Sequence, residues 1–246
     1  LLKSLSDIMP LPKIATPTYE LELPSTKQKI KFRPFLVKEE KLLVLALESE
    51  DTKQITNAIK SVIKACISTR GIKVENLPTF DIEYLFLNIR GKSVGEEVEV
   101  NIIAPDDGQT SIPVKIDLED IKVIENEDHN KQIQLDDNLM MEMKYPSLDQ
   151  FIKNNFDFED TTVDKSFELI ATCVDKIYNQ EEVWSTDDVS KKEVIDFLEQ
   201  MSSIQFKQIE KFFETMPKLS HKIEVYNPVT DVKSEVVLEG LSSFFG

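Results

Sequence analysis

The alternation of apolar and polar residues predicts a hairpin and three helices near the start of the chain. Residues 19–23 and 29–35 alternate with a period of two on either side of a Pro-Ser-Thr-Lys turn, as the strands of a β-hairpin do. Apolar residues then recur at helical spacing over residues 37–49, 52–69 and 78–90. We therefore expect an amino-terminal hairpin followed by a compact bundle of three helices.

The period returns to two after the third of these helices. Residues 97–104 and 111–117 alternate around a Pro-Asp-Asp-Gly turn, which predicts a second hairpin. Residues 120–131 are polar and acidic, so we expect an irregular segment there. Residues 133–135 and 139–145 predict one or two short strands after it.

The last hundred or so residues return mainly to helical spacing. Their pattern predicts helices over residues 148–154, 163–178, 190–201 and 202–216, and a third hairpin whose strands are residues 222–226 and 233–238.

These elements predict an α+β fold in which helical bundle segments combine with antiparallel β-hairpins. We expect three segments. Residues 1–36 form an extended proline-rich arm and the amino-terminal hairpin. Residues 37–145 form helices followed by a β-hairpin and strands, and residues 146–246 form a helical region that ends in a β-hairpin and a Phe-Phe tail.

The charge balance restricts the classes of partner. Asp and Glu outnumber Lys and Arg by 45 to 29, which gives a formal net charge of -16. A surface of that sign repels phosphate backbones and anionic lipid headgroups. No apolar run is long enough to span a bilayer. We therefore expect neither a nucleic-acid partner nor a membrane-spanning segment.

The residues that usually perform catalysis are scarce here. The two cysteines, Cys66 and Cys173, stand in apolar helical patterns, and we interpret them as buried free thiols. The two histidines, His129 and His221, have no neighbouring nucleophile in a recognisable motif, and we interpret them as surface or strand-edge residues. The Gly91-Lys-Ser run lacks the upstream glycine of a phosphate-binding loop. We expect no catalytic site.

Adjacent acidic residues occur at several predicted turns and helix starts. They are Asp106-Asp107, Asp136-Asp137 and Asp187-Asp188. None has the alternating ligand spacing of a calcium loop, so we interpret them as solvated caps. The sequence thus predicts no metal and no cofactor.

The two ends of the chain carry the candidate partner contacts. Proline fixes φ and removes a donor, so the amino-terminal arm is expected to lie extended on a neighbour. The Phe-Phe pair at the other end is an anchor either in a groove of this chain or in a groove of a partner. The candidate partner-binding residues are Pro12, Pro17, Tyr19, Arg33, Phe35, Leu241, Phe244 and Phe245.

Four stretches carry a resemblance to a known family. Residues 12–26 read PKIATPTYELELPST and residues 32–43 read FRPFLVKEEKLL. Residues 143–147 read MKYPS and residues 238–245 read LEGLSSFF. Together they resemble the T4-type bacteriophage baseplate hub assembly proteins, a family of tailed-phage proteins of similar length.

This resemblance implies a function and a location. It implies a role in building the central hub of a contractile tail's baseplate, with other baseplate hub and tail proteins as partners. It also implies the host cytoplasm during assembly, with the tail baseplate of the virion as the final location of a retained subunit. A homo-oligomer would suit a symmetric tail assembly.

The resemblance also bears on metal binding. Some members carry Cys-x-x-Cys knuckles at the tips of two hairpins, as zinc ribbons do. Here residues 104–108 read APDDG and residues 227–231 read NPVTD, with no cysteine at either tip. We therefore expect zinc-ribbon-like hairpins without the cysteines, held by turn chemistry and packing and free of metal.

Two other classes of function compete with this interpretation. A general chaperone-like adaptor unrelated to phage would share the acidic composition. An enzyme that uses a pair of Asp or Glu residues would lose its function when those acids are replaced by alanine. We expect a non-enzymatic protein that acts through protein–protein contacts.

Overall fold

The structure, a computed structural model, describes residues 14–147 and 163–244. Those ranges contain six α-helices and 11 β-strands, which confirms the α+β class. The helices are α1 (Val37–Glu48), α2 (Thr52–Cys66), α3 (Thr79–Val94), α4 (Val163–Cys173), α5 (Lys191–Glu199) and α6 (Ser203–Thr215).

The strands form four small sheets in which every pair is antiparallel. Two sheets are hairpins, β1 (Tyr19–Glu22) with β2 (Lys29–Phe32) and β3 (Glu97–Ile103) with β4 (Ser111–Asp117). The third has the order β11-β10-β5, from Val232–Glu239, Lys218–Asn227 and Lys122–Ile124. The fourth has the order β6-β7-β8-β9, from Gln132–Gln134, Met140–Met143, Val174–Tyr178 and Val183–Ser185.

The amino-terminal hairpin packs on α2 and α3 to form a first core. Ile30 of β2, Ile63 of α2 and Leu85 of α3 are all completely buried in it. The turn of the hairpin is tied to α3 because the backbone N–H and the hydroxyl of Ser25 both donate to the carboxylate of Asp81. Burial raises the pKa of Asp81, while these hydrogen bonds oppose the shift.

A second core lies between the hairpin β3–β4 and the sheet of β5, β10 and β11. The predicted alternation is observed, since Val98, Val100 and Ile102 of β3 face inward. Leu87 of α3 enters this core from the side opposite to Leu85, so α3 contributes to both cores.

A third core lies between the four-stranded sheet and helices α4, α5 and α6. Met141 is completely buried there, which assigns it to the core rather than to the surface. Cys173 is buried in this core and Cys66 in the first, and both are free thiols as predicted. Burial raises the pKa of Cys173 to about 12 and that of Cys66 to about 11, so both stay protonated near neutral pH.

The prediction of one helix over residues 163–178 is wrong in its second half. Helix α4 ends at Cys173, and the chain continues at once as strand β8. The apolar residues Val174 and Ile177 fit either period, so the pattern did not separate the two structures. Residues 174–178 form a strand because β7 pairs with them on one side and β9 on the other. The backbone N–H and C=O groups on both edges of β8 then have hydrogen-bond partners.

Other boundaries also differ from the prediction. Helix α3 continues past Gly91 to Val94, and the Leu118 side chain lies beside Gly91. The expected irregular segment 120–131 contains β5, which pairs with β10, and β9 was not predicted. The predicted helix over residues 148–154 lies outside the described residues.

The cores combine distant parts of the chain. The second core takes residues both from β3 and β4 and from the carboxy-terminal hairpin, whose strand β10 also pairs with β5 through Leu219 and Val123. The segment boundaries predicted after residues 36 and 145 stay a prediction.

Candidate interaction surfaces

The tips of the second and third hairpins meet in a small polar network. The side-chain amide of Asn227 donates to Oδ2 of Asp106 at 3.1 Å and to Oδ2 of Asp107 at 3.0 Å. The hydroxyl of Thr230 donates to Asp106 at 2.5 Å. Asn227 is almost completely buried, so these hydrogen bonds satisfy an amide that would otherwise be costly to bury.

Asp107 also stabilises the turn of its own hairpin. Its carboxylate accepts from the hydroxyl of Thr110 at 2.5 Å, from the N–H of Thr110 at 3.0 Å and from the N–H of Gln109 at 2.9 Å. These donors, the Thr110 hydroxyl first, lower the pKa of Asp107 far below its ordinary range. Asp107 is therefore a carboxylate at every physiological pH.

The tips thus stand together where the resemblance places zinc knuckles, and here they are joined by hydrogen bonds. Among the described residues, no group of three or more His, Cys, Asp or Glu side chains is arranged to hold a metal ion. The absence of metal from the protein stays a prediction.

The amino-terminal candidates are spread over different environments. Pro12 lies outside the described residues, and Pro17 is exposed. The Tyr19 ring is half-buried, with its centroid 5.7 Å from that of Phe32. The Phe35 side chain packs against the first core, and its N–H donates to the hydroxyl of Ser93.

Arg33 makes its polar contacts within its own chain. Its guanidinium lies 3.0 Å from the carboxylate of Glu39, which is buried, and donates to the carbonyl of Ala65 at 3.1 Å. The other Glu39 oxygen accepts from the N–H of Leu36 at 2.7 Å at the start of α1. Arg33 therefore fixes the start of α1 against the end of α2.

The carboxy-terminal candidates are partly described. Leu241 and Phe244 bound a short 3-10 turn that follows β11, and Phe245 lies outside the described residues. The Phe244 side chain is completely buried in the second core, so it is an anchor in a groove of its own chain. A partner-binding role for any of the eight candidates stays a prediction.

His129 has contacts that the sequence did not indicate. Its Nδ1 lies 2.9 Å from the Thr215 hydroxyl, and its Nε2 lies 3.0 Å from the Tyr145 hydroxyl. The ring also stacks on Tyr145, with centroids 5.6 Å apart, and lies against Phe212. Burial and then the charge of Lys131 lower the pKa of His129, so the ring is neutral at pH 7. This cluster attaches the acidic loop to the third core.

Helix α1 presents a wide apolar surface to solvent. Its first residue, Val37, is 79% exposed, and Leu45 is 55% exposed. Single exposed apolar side chains are ordinary, whereas several on one short helix indicate a contact surface. The group, which we call the α1 face, consists of Leu36, Val37, Leu42, Val44, Leu45 and Leu47.

A second apolar surface is the cleft between strand β9 and helix α5. Its volume is about 310 Å³, and the only tryptophan of the chain, Trp184, lies on it with 38% of its surface exposed. Strand β9 is at the edge of its sheet, with no further strand beside it among the described residues. The cleft, which we call the Trp184 cleft, is lined mainly by Leu139, Ile177, Trp184, Val189, Val194 and Phe197.

A comparison with known families gives one match. The family described as T4 bacteriophage base plate protein matches residues 16–246, which is nearly the whole chain. The chain belongs to the T4 bacteriophage base plate protein family. No curated protein and no solved structure matches it.

The family membership confirms the resemblance seen in the sequence and decides between two classes of function. A baseplate protein is a component of the phage tail, and its partners are other phage tail proteins. The alternative of an adaptor unrelated to phage is therefore wrong. No helix within residues 14–147 or 163–244 has both the length and the apolar composition needed to cross a bilayer.

Neither apolar surface of this baseplate protein could be predicted from the sequence. The residues of α1 have helical spacing that suits a core helix equally well. Strand β9 is only three residues long, and its three neighbours on each side are mostly polar. The one available signal was the single tryptophan beside four acidic residues, because tryptophan is enriched where proteins bind each other.

Proposed function

We propose that this baseplate protein takes part in building the central hub, as an assembly factor or as a hub subunit, through protein–protein contacts and without catalysis. The resemblance of residues 12–26 and 32–43 to hub assembly proteins supports the hub role. The observation that carries a binding function is the Trp184 cleft. A cleft of this size accepts one or two apolar side chains of a partner.

The chemistry around the cleft specifies the partner further. Glu181 and Glu182 stand directly before β9, Asp187 and Asp188 follow it after Thr186, and all four acids are exposed. A partner segment with an apolar anchor and flanking lysines or arginines would therefore complement the site. The open edge of β9 offers backbone groups to an extended segment, which is the mode of β-strand addition.

The proposal includes no catalytic role for the adjacent acids. The Asp136 carboxylate accepts from the N–H groups of Asn138 and Leu139, each at 2.8 Å, as a turn-forming aspartate does. The Asp107 carboxylate performs the same task in its hairpin. Replacing Asp187 and Asp188 by asparagine keeps the turn chemistry and removes any acid–base function. We expect this variant to complement tail assembly at least in part, whereas complete loss with partner binding intact would indicate catalysis.

The Trp184 cleft can be tested with a single spectroscopic probe. Because Trp184 is the only tryptophan, protein labelled with 5-fluorotryptophan gives one ¹⁹F signal. We expect that signal to shift on addition of the hub protein that this chain binds, and Trp184→Ala to weaken binding by about tenfold or more. Ile204→Ala, which removes an exposed apolar side chain on α6, is the matched control.

A hub protein that binds with no shift of the ¹⁹F signal and with equal affinity for Trp184→Ala would reject the cleft as the binding site. Circular dichroism of each variant separates lost binding from lost folding. Quantitative mass spectrometry of purified particles then decides the mode of action. A fixed copy number identifies a hub subunit, and absence from mature particles identifies an assembly factor.

A further inference from the structure

The side of α1 that faces away from the protein has a specific order of residues. At 100° per residue, Val37, Lys41, Val44, Leu45 and Glu48 share one side of the helix. All five are exposed. The opposite side carries the buried residues of α1, Glu39 and Ala46, together with half-buried Leu43, which packs against the first core.

The charges on this outer side are arranged symmetrically about its apolar centre. Val44 and Leu45 occupy the middle, Lys41 lies before them and Glu48 after them. Lys41 and Glu48 are equally far from the midpoint between Val44 and Leu45. Among the described residues, neither forms an ion pair within its own chain, unlike Lys38, whose Nζ lies 3.5 Å from Glu39.

We propose that two copies of this protein associate through α1, with the two helices antiparallel. In that arrangement the Val44 and Leu45 side chains of the two copies pack together around a two-fold axis. Lys41 of each copy then faces Glu48 of the other, so that one surface supplies two ion pairs. A self-complementary patch of this kind is what an isologous dimer requires.

The choice of a second copy as the occupant rests on this charge order. An unrelated helix would need its own matching acid and base at the same spacing, whereas a second copy has them by symmetry. The reversed direction also places the amino-terminal end of each helix dipole beside the carboxy-terminal end of the other. A parallel pair would instead bring Lys41 beside Lys41 and Glu48 beside Glu48, which repel each other.

The small size of the α1 face limits the expected affinity of the dimer. A helix of 12 residues is about 18 Å long, so one helix pair covers less than the roughly 800 Å² per partner of a standard interface. Each copy also carries a formal charge of -16, which adds long-range repulsion. We therefore expect a dissociation constant on the order of micromolar or weaker, with monomers prevailing in dilute solution.

Sedimentation equilibrium over a range of protein concentrations tests the dimer. Lys41→Glu places like charges opposite each other at both ion pairs, so we expect it to weaken association by about tenfold or more. Glu48→Lys is expected to do the same. The double variant Lys41→Glu with Glu48→Lys restores both pairs with reversed sign, and we expect it to recover the dimer.

Lys207→Glu on the exposed side of α6 is the matched control, because it changes the net charge by the same amount away from α1. It is expected to leave the dimer nearly unchanged. A protein that stays monomeric at several hundred micromolar, a dimer that tolerates Lys41→Glu, or a double variant that fails to recover while remaining folded would each overturn the proposal. The dimer needs no tail protein, so its failure would leave the proposed hub function untouched.

Discussion

Helices α1 and α3 are both rich in apolar residues, yet they have opposite environments. Six large apolar side chains of α3 are buried, namely those of Phe80, Ile82, Leu85, Phe86, Leu87 and Ile89, whereas the six large apolar side chains of the α1 face are exposed. The two helices are equally hydrophobic on average. Their difference arises from position, because α3 contributes to the first two cores while α1 packs mainly against α2.

This comparison separates two uses of apolar surface. In α3 the buried surface stabilises the fold of the monomer, since its removal from water is complete without a partner. In α1 the same kind of surface stays in water until something covers it. Mutations in α3 should therefore change stability, whereas mutations in α1 should change association.

The sharpest test of the comparison is the same substitution in both helices. Leu85→Ala removes a completely buried side chain and leaves a cavity, so we expect it to lower the free energy of unfolding by about 4 kcal/mol. Leu45→Ala changes an exposed position, and we expect a change within about 0.5 kcal/mol. Urea denaturation at a low protein concentration measures both. Equal losses from the two variants would show that α1 belongs to the core.

The next test concerns the side of α3 that faces the second core. Phe244 is buried there together with Leu87, although it stands near the end of the chain. We expect Phe244→Ala to lower the free energy of unfolding by about 3 kcal/mol. The readout is the thermal and urea stability of the isolated protein. An unchanged stability combined with lost binding to a tail protein would place Phe244 in a partner contact instead.

A smaller effect is expected at the tips of the second and third hairpins, away from both helices. Asn227→Ala leaves the carboxylates of Asp106 and Asp107 near each other without the amide between them. We expect a loss of about 2 kcal/mol, because hydrogen bonds to charged groups and a buried position are both involved. Val229→Ala, at an exposed position in the same turn, is the control. If zinc added to the wild-type protein raised its stability, the prediction of metal-free tips would be wrong.

The smallest effect is a pH dependence at the amino-terminal end of α3. The rings of Phe80 and Tyr145 have centroids 5.1 Å apart, and the Tyr145 hydroxyl is within hydrogen-bond distance of His129 Nε2. Because the pKa of His129 is lowered in the folded protein, the unfolded chain takes up a proton first as the pH falls below about 6.5. Stability should therefore decrease from pH 7.5 to pH 5.5, and His129→Gln should reduce that decrease. His221→Gln, outside this cluster, is the control, and an equal effect of both variants would contradict the assignment.

The elements that could be predicted from the sequence are those specified by neighbouring residues. The hairpin of β3 and β4 was correct because the alternation and its Pro-Asp-Asp-Gly turn are local signals. The starts of α2 and α5 were correct for the same reason, since Asp51 and Ser190 accept from backbone N–H groups of the first turn. Strand β8 was missed because its identity depends on β7, which lies more than 30 residues earlier in the chain.

The candidate sites show the same limit more strongly. Arg33 stands in the most specific stretch of the family resemblance, and the structure uses it to hold Glu39 and Ala65 inside the chain. Trp184 was not selected, because a three-residue strand has no periodicity to recognise. A surface cleft is formed by residues from separate elements, so no single window of sequence contains it.

By itself the sequence determined the types of most elements, the free thiols, the strong negative charge and the family, because each depends on local pattern or on composition. Only the tertiary structure decided which apolar helix is buried and which tips meet. The Asn227–Asp106 contact joins residues that are 121 positions apart, and the exposure of α1 depends on what the other elements leave uncovered. The physical reason is that burial is a property of the whole packed chain, whereas periodicity records only which side of an element is apolar.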